Sequence, residues 1–273
     1  MSSERLNFEH AVLTECGAVR PLNQDAVLTL PNDGIFVVAD GMGGASAGEV
    51  ASRMITEMLE NEMTESRHES PGDRKYLFHQ ALHKVNSAIN AYRQSHGFRS
   101  MGSTVVAIIF NAWEATTADV VNCGDSRCYC FRNGELLKLT TDHTLDKTFK
   151  NVPAFAKMNH VLTNHIGAVD YMTATWQKVS VCPGDVFLLC SDGLTSLVPD
   201  LQIQDILNKG LSLENTLHLL ENAIAAGGAK DNYSIVLVRI PEVLPPPLDI
   251  SEEERRESDL LYQISEQRKD YGK

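Results

Sequence analysis

The sequence predicts an α+β protein in which antiparallel sheet is covered on the outside by helices. Two observations carry this. Hydrophobic periodicity runs as strands, then two helices, then a series of strands, then two helices and a last strand. That order is not the strict strand–helix alternation of a parallel sheet. Short turns rich in Asn and Gly also join neighbouring strands, as hairpins require.

The elements follow in order. His10–Cys16 and Asp25–Leu30 read as short strands, and Gly34–Asp40 as a stronger one, β-branched and ending in an acid followed by glycines. Ser46–Asn61 reads as a helix with Ala47, Val50, Ala51, Met54, Ile55 and Met58 on one face. Tyr76–Gln94 is a second, with Leu77, Ala81, Leu82, Val85 and Ile89 as its stripe. The polar stretch around Ser70-Pro71-Gly72-Asp73 connects them. Ser103–Phe110, Ala115–Asn122, Ser126–Phe131 and Glu135–Leu139 read as strands. Asn111-Ala112-Trp113-Glu114 and Arg132-Asn133-Gly134 are the expected hairpin turns. The segment from Asp142 to Asp170 reads as irregular. Thr175–Val181 and Asp185–Cys190 are expected to form a hairpin across Cys182-Pro183-Gly184. Helices over Asp200–Asn208 and Leu213–Ala226 and a strand over Tyr233–Ile240 complete the domain, 1–240. Residues 241–273 form a Pro-rich linker and a highly charged tail. Leu260, Leu261 and Ile264 could line one face of a helix there, so a solvated tail and a partner-docking helix both stay open.

Composition narrows the class. Of 273 residues, 43% are hydrophobic and 22% charged, which suits a folded globular chain. The formal net charge of -12 argues against non-specific binding to nucleic acid or to an anionic membrane. An anionic substrate would then need local cations. The six cysteines include no Cys-x-x-Cys pair and are expected to be buried, reduced thiols of a cytoplasmic protein. The N-terminus lacks the apolar core of a signal peptide, and no apolar run approaches the ~18 residues of a membrane span.

The chemistry lies in the acids. Asp40, Asp125, Asp192 and Asp231 all fall at strand ends beside small residues. A carboxylate at the tip of a buried strand is costly unless it is paired, hydrogen-bonded or bound to a cation. Any one of them reads as a turn residue; four in this position point to a site. The nine histidines show no paired spacing near these acids, so the ligand set is oxygen-only and suits Mg²⁺ or Mn²⁺ rather than zinc. Two such ions ~3.5–4 Å apart can activate a water and clamp a phosphoryl group.

Eight motifs then occur in a set order. They are Arg20-Pro-Leu-Asn23-Gln24-Asp25, Ala39-Asp40-Gly41-Met42-Gly43-Gly44, Met101-Gly102-Ser103-Thr104, Cys123-Gly124-Asp125-Ser126-Arg127, Leu139-Thr140-Thr141-Asp142-His143, Asn164-His165-Ile166-Gly167, Ser191-Asp192-Gly193 and Asp231-Asn232. Over residues 8–240 this order resembles the PP2C-type, metal-dependent Ser/Thr protein phosphatases, most closely their bacterial branch. The resemblance implies a sandwich of two antiparallel sheets with helices outside. It implies that Asp40 bridges two ions, that the Gly41 carbonyl binds the second, and that Asp192 and Asp231 bind the first. Asp125 with Asp192 would serve a third, weaker site. Arg20 would hold the substrate phosphate through its planar fork. Asp25 and Asn232 would support the ions' waters from behind the ligands.

The resemblance further implies hydrolysis of phosphoserine and phosphothreonine by a hydroxide bridging the two ions, with no covalent phosphoenzyme. The partners it implies are phosphoprotein substrates and a cognate Ser/Thr kinase. A cysteine phosphatase is disfavoured, because no Cys-x5-Arg loop is present. A non-catalytic phosphoprotein scaffold and a phosphatase of small phosphoesters remain as alternatives. Three departures stand out: Gln24 where many members carry Glu, Met42 where eukaryotic members carry His, and a short stretch from His143 to Asn164 in place of the usual flap. Met42 leaves the proton donor to the leaving group unassigned, while His143 and His160 read as structural or surface residues.

Overall fold

The computed structural model describes residues 8–44, 47–65, 74–110, 116–149, 152, 158, 161–168 and 172–241. The expected turn at 111–114, His160 and the tail beyond 241 lie outside the described residues.

Two antiparallel sheets face each other. One runs β1 (Glu9–Glu15), β11 (Tyr233–Arg239), β10 (Val186–Cys190), β7 (Arg127–Arg132) and β8 (Glu135–Lys138) in spatial order. The other runs β2 (Asp25–Leu30), β3 (Ile35–Met42), β5 (Val105–Phe110), β6 (Thr117–Cys123) and β9 (Thr175–Ser180), with the short β4 (Gly102–Ser103) paired to the end of β3. The long helices α1 (Ala47–Glu65) and α2 (Arg74–Ser95) cover the second sheet. Helices α5 (Asp200–Leu207) and α6 (Leu213–Ala226) cover the first. The layers are helix, sheet, sheet, helix, as the resemblance implied.

The side-chain alternation of the strands explains the layering. In β3, Phe36 and Val38 point into the inter-sheet core, while Ile35, Val37 and Ala39 point to α1 and α2. In β10, Phe187 and Leu189 point inward, and Val186, Leu188 and Cys190 point to the helices. Both faces of the central strands are covered, so they read as continuous apolar runs rather than as alternating ones.

Most elements fall where the sequence placed them. The Arg132-Asn133-Gly134 turn is a hairpin with positive φ at Asn133 (52°) and Gly134 (86°), the backbone that Asn-Gly tolerates best. One expectation is overturned. Thr175–Val181 and Asp185–Cys190 do not pair with each other: β9 pairs β6 in one sheet, and β10 pairs β7 and β11 in the other. Cys182-Pro183-Gly184 is therefore a crossing between sheets. Its corner is held by Arg132 Nε and Nη2, which donate to the Asp185 carboxylate at 2.7 Å each, and by the Cys182 amide, which donates to the same carboxylate. A tight turn sequence signals a reversal but cannot say in which sheet the chain continues. Two one-turn helices, α3 (Leu145–Thr148) and α4 (Asp192–Thr195), were not foreseen, because four residues carry no periodicity. The strand expected over Ser103–Phe110 is interrupted at Thr104. All six cysteines are free, with Cys123, Cys128, Cys130 and Cys190 buried and Cys16 and Cys182 partly exposed.

Candidate functional site

The inter-sheet core ends in acid. Continuing the inward-facing series Phe36, Val38 by two residues brings Asp40 to the same face, and Asp25 stands directly across from it in the β2–β3 register. On the opposite sheet, Leu189 and Val236 point inward, and two residues further toward this end lie Ser191 and Ser234. The apolar filling thus gives way at one end to Asp25, Asp40, Ser191 and Ser234. Like charges placed directly opposite on paired strands repel, so this arrangement is unfavourable by itself.

Three further acids join from loops. Asp192 opens α4, immediately after β10. Gly193 makes this possible, since a Cβ there would stand 2.0 Å from the Asn232 carbonyl oxygen. The charge of Asp192 acts on Asp40. Asp125 lies in the crossing from β6 to β7, where Gly124 adopts φ 121°. Thr104 Oγ1 and Ser126 Oγ are hydrogen-bonded across this crossing at 2.6 Å, and Thr104 Oγ1 also accepts from the Asp40 amide. Asp231 precedes β11, and its Oδ2 accepts from Arg20 Nη2 at 2.8 Å.

Electrostatics shows how tightly these groups sit. Burial, and then the charges of Asp25, Asp192, Asp125 and Asp231, hold Asp40 well above the ordinary carboxylate range. Burial raises Asp25 to about 6, against the hydrogen bond from Ser191 that lowers it. Burial and the Asp192 charge raise Asp125 to about 7. Asp192 is raised by burial and by Asp231. Asp25 Oδ2 accepts from Ser191 Oγ at 2.7 Å, while its buried Oδ1 has no hydrogen-bond partner among the described residues.

These residues fit a divalent-cation site. The donors are all oxygen, their shared negative charge lacks a compensating cation at Asp25 and Asp40, and one buried carboxylate oxygen is unsatisfied. Among the described residues, no three histidine, cysteine or acidic side chains are already grouped so as to hold a metal ion. Mg²⁺-type sites need no such group, since these ions keep several waters and take few protein ligands. Gly41 also fits. Its amide donates to the Gln24 carbonyl, and a Cβ would lie 2.1 Å from the Gly48 carbonyl oxygen, so only glycine lets α1 press against the end of β3.

The structure brings every expected site residue to this end of the sandwich. Asn232 is held by the chain that leads to and from Arg20. Its Nδ2 donates to the Cys16 and Leu22 carbonyls at 2.8 and 2.9 Å, and its Oδ1 accepts from the Gln24 amide. The side chain fastens the loop that carries Arg20. Ser191, Ser234 and Thr104 were missed as supports of the acids. Two-residue alternation from Leu189 and Val236 could have found the serines. His143 is structural: its Nδ1 accepts from the Gly124 amide, behind Asp125.

Comparison with known proteins agrees with this geometry. Residues 17–225 match the family model described as protein phosphatase 2C. The chain is 32% identical to the serine/threonine phosphatase stp of Listeria welshimeri over 237 residues, covering 82% of this chain and 93% of that one. The Mycobacterium tuberculosis serine/threonine phosphatase PstP/Ppp superposes with a TM-score of 0.76 at 30% identity, over 86% of this chain and 99% of that one. The catalytic domain of PstP in complex with two manganese ions superposes with a TM-score of 0.74 at 29% identity, over 86% and 98%. With its sandwich, its ordered motifs and its buried acids all in place, the chain belongs to the protein phosphatase 2C family and is a serine/threonine protein phosphatase of the bacterial branch.

Proposed function

We propose that this protein is a divalent-metal-dependent phosphatase that removes phosphate from phosphoserine and phosphothreonine in proteins, reversing the work of a partner kinase. The observation that carries the reading is the gathering of Asp25, Asp40, Asp125 and Asp192 at one end of the sandwich, each raised by burial and by its acidic neighbours. Two Mn²⁺ or Mg²⁺ ions would relieve that repulsion, supply an activated water and cancel charge on the phosphoryl group.

Asp40, the Gly41 carbonyl, Asp192 and Asp231 would hold those two ions, and Asp125 with Asp192 would hold a third. Arg20 would grip phosphate oxygens through its fork of N–H donors. Asp25 stands across from Asp40 with Oδ2 fixed by Ser191, which would leave Oδ1 to accept a hydrogen bond from water in the site. Asn232 keeps the Arg20 loop in register with Asp231. The net charge of -12 makes Arg20 and the bound ions the source of local attraction for a phosphoprotein. Six free thiols support a cytoplasmic setting. Among the described residues, no helix is long and apolar enough to cross a membrane.

The test is turnover of phosphoserine, phosphothreonine and phosphotyrosine peptides with Mn²⁺, with Mg²⁺ and with EDTA. Turnover of the first two with metal, and none in EDTA, is expected. Equal turnover in EDTA would remove the metals from the reading. Hydrolysis of nucleotides in preference to phosphopeptides would replace the substrate class.

A further inference from the structure

Arg20 and Asp231 are assigned opposite tasks, yet they hold each other. Arg20 Nη2 donates to Asp231 Oδ2 at 2.8 Å, and the other oxygen, Oδ1, accepts from the Asn232 amide at 2.9 Å. Both carboxylate oxygens are therefore engaged. A cation held by Asp231 would compete with the guanidinium for this carboxylate. We propose that Arg20 has two alternative partners, the Asp231 carboxylate and the substrate phosphate, and that it leaves the first for the second when Asp231 takes a divalent cation. This rests on the metal-site reading above.

The backbone makes the exchange a movement of one side chain. The Ala18 amide donates to the Ala229 carbonyl at 2.7 Å. Asn232 Nδ2 donates to the Cys16 and Leu22 carbonyls, and the Gln24 amide returns a bond to Asn232 Oδ1. Cys16 Sγ donates to the Arg20 carbonyl at 3.1 Å. A Cβ at Gly17 would lie 2.2 Å from the Asp231 carbonyl oxygen. The chain on either side of Arg20 is thus fastened to the segment that carries Asp231, and neither can retreat from the other. What remains free is the Arg20 side chain, which is 50% exposed and has donors to spare. Its pull toward the site is set by Asp231 first, with Asp192 and Asp40 adding attraction. With Asp231 neutralised by a cation, the fork can turn to phosphate without any loop movement. Cation and phosphate would then bind cooperatively through this one residue.

Calorimetric titration with Mn²⁺ alone tests this in the wild type, Arg20→Ala, Asp231→Asn and the double variant. Arg20→Ala is expected to bind Mn²⁺ roughly two- to five-fold more tightly, the range of a half-exposed ion pair. In the Asp231→Asn background the same change is expected to add nothing. No gain in the single variant overturns the exchange, as does an equal gain in both backgrounds, which would mark a general field effect. A wild type that binds no Mn²⁺ sinks the metal-site reading together with this one. Inorganic phosphate gives a second measurement. The ratio of its affinities for wild type and Arg20→Ala is expected to be larger in saturating Mg²⁺ than in EDTA, and an equal ratio overturns the proposal.

Discussion

Two sets of buried and half-buried aspartates share this sandwich and have opposite surroundings. Asp142 and Asp185 are 5% and 1% exposed, and each is clasped by an arginine. Arg127 Nε and Nη2 lie 3.0 and 2.8 Å from the Asp142 carboxylate, with Lys138 Nζ at 2.6 Å; Arg132 reaches Asp185 through two bonds of 2.7 Å. Asp25 and Asp40 are set against each other and against Asp125 and Asp192. The paired set closes corners of the fold: Asp185 holds the crossing between sheets, and Asp142 holds β7 beside β8. The unpaired set stores a repulsion that a bound cation would relieve. Burial alone therefore does not separate the two sets. The sign of their neighbours does.

The sharpest way to break this comparison is to remove one acid from each set. Asp40→Asn is expected to lower turnover of a phosphothreonine peptide by about 10³-fold or more, several kcal/mol of barrier. Its melting temperature in EDTA should hold or rise, because a like charge is gone. Turnover within tenfold of wild type would take Asp40 out of the site. Arg132→Ala should do the reverse. Leaving Asp185 buried and uncompensated costs about 2–3 kcal/mol of stability, below the usual cost of a broken buried pair because Arg132 is itself partly exposed. Its turnover per folded molecule should stay at the wild-type level, and denaturant melts with parallel kinetics would show whether it does.

A smaller effect follows from pH. Asp25 and Asp125 are raised to about 6 and about 7 in the folded chain, above the ordinary 3.8. Between those limits the native state binds more protons than the unfolded state, so stability falls as pH rises through about 4 to 7 and levels off beyond. In EDTA, unfolding free energy should drop by about 1–3 kcal/mol from pH 5 to pH 8. Saturating Mg²⁺ should flatten that slope, and Asp125→Asn should reduce it while Arg132→Ala leaves it in place. Stability that rises with pH in EDTA would show that the acid cluster is not under strain.

Much of this was legible in the residues. The strand from Gly34 to Asp40 announced itself by a β-branched run that ends in acid and glycine, and the helices announced themselves by their stripes. Asp40, Asp125, Asp192 and Asp231 were legible as a set because each follows or precedes a strand of that kind. The partner of β9 was not legible, since Cys182-Pro183-Gly184 looks the same in a hairpin and in a crossing. Nor were the contacts of Asn232, whose neighbours in space, Cys16 and Leu22, lie more than 200 positions away in sequence.

By itself the sequence determined the identity of the longer elements, the positions where apolar strands give way to acid, and the lack of paired histidines beside those acids. Those are local properties, written in periodicity and residue type. Only the tertiary structure decided which acids face a cation and which face each other. Asp142 lies in the loop after β8 and Asp40 near the end of β3; one meets Arg127 and Lys138, the other meets Asp25 and Asp192. The physical reason is that charge pairing depends on distances across two sheets, and those distances are set by strand order and register rather than by position along the chain.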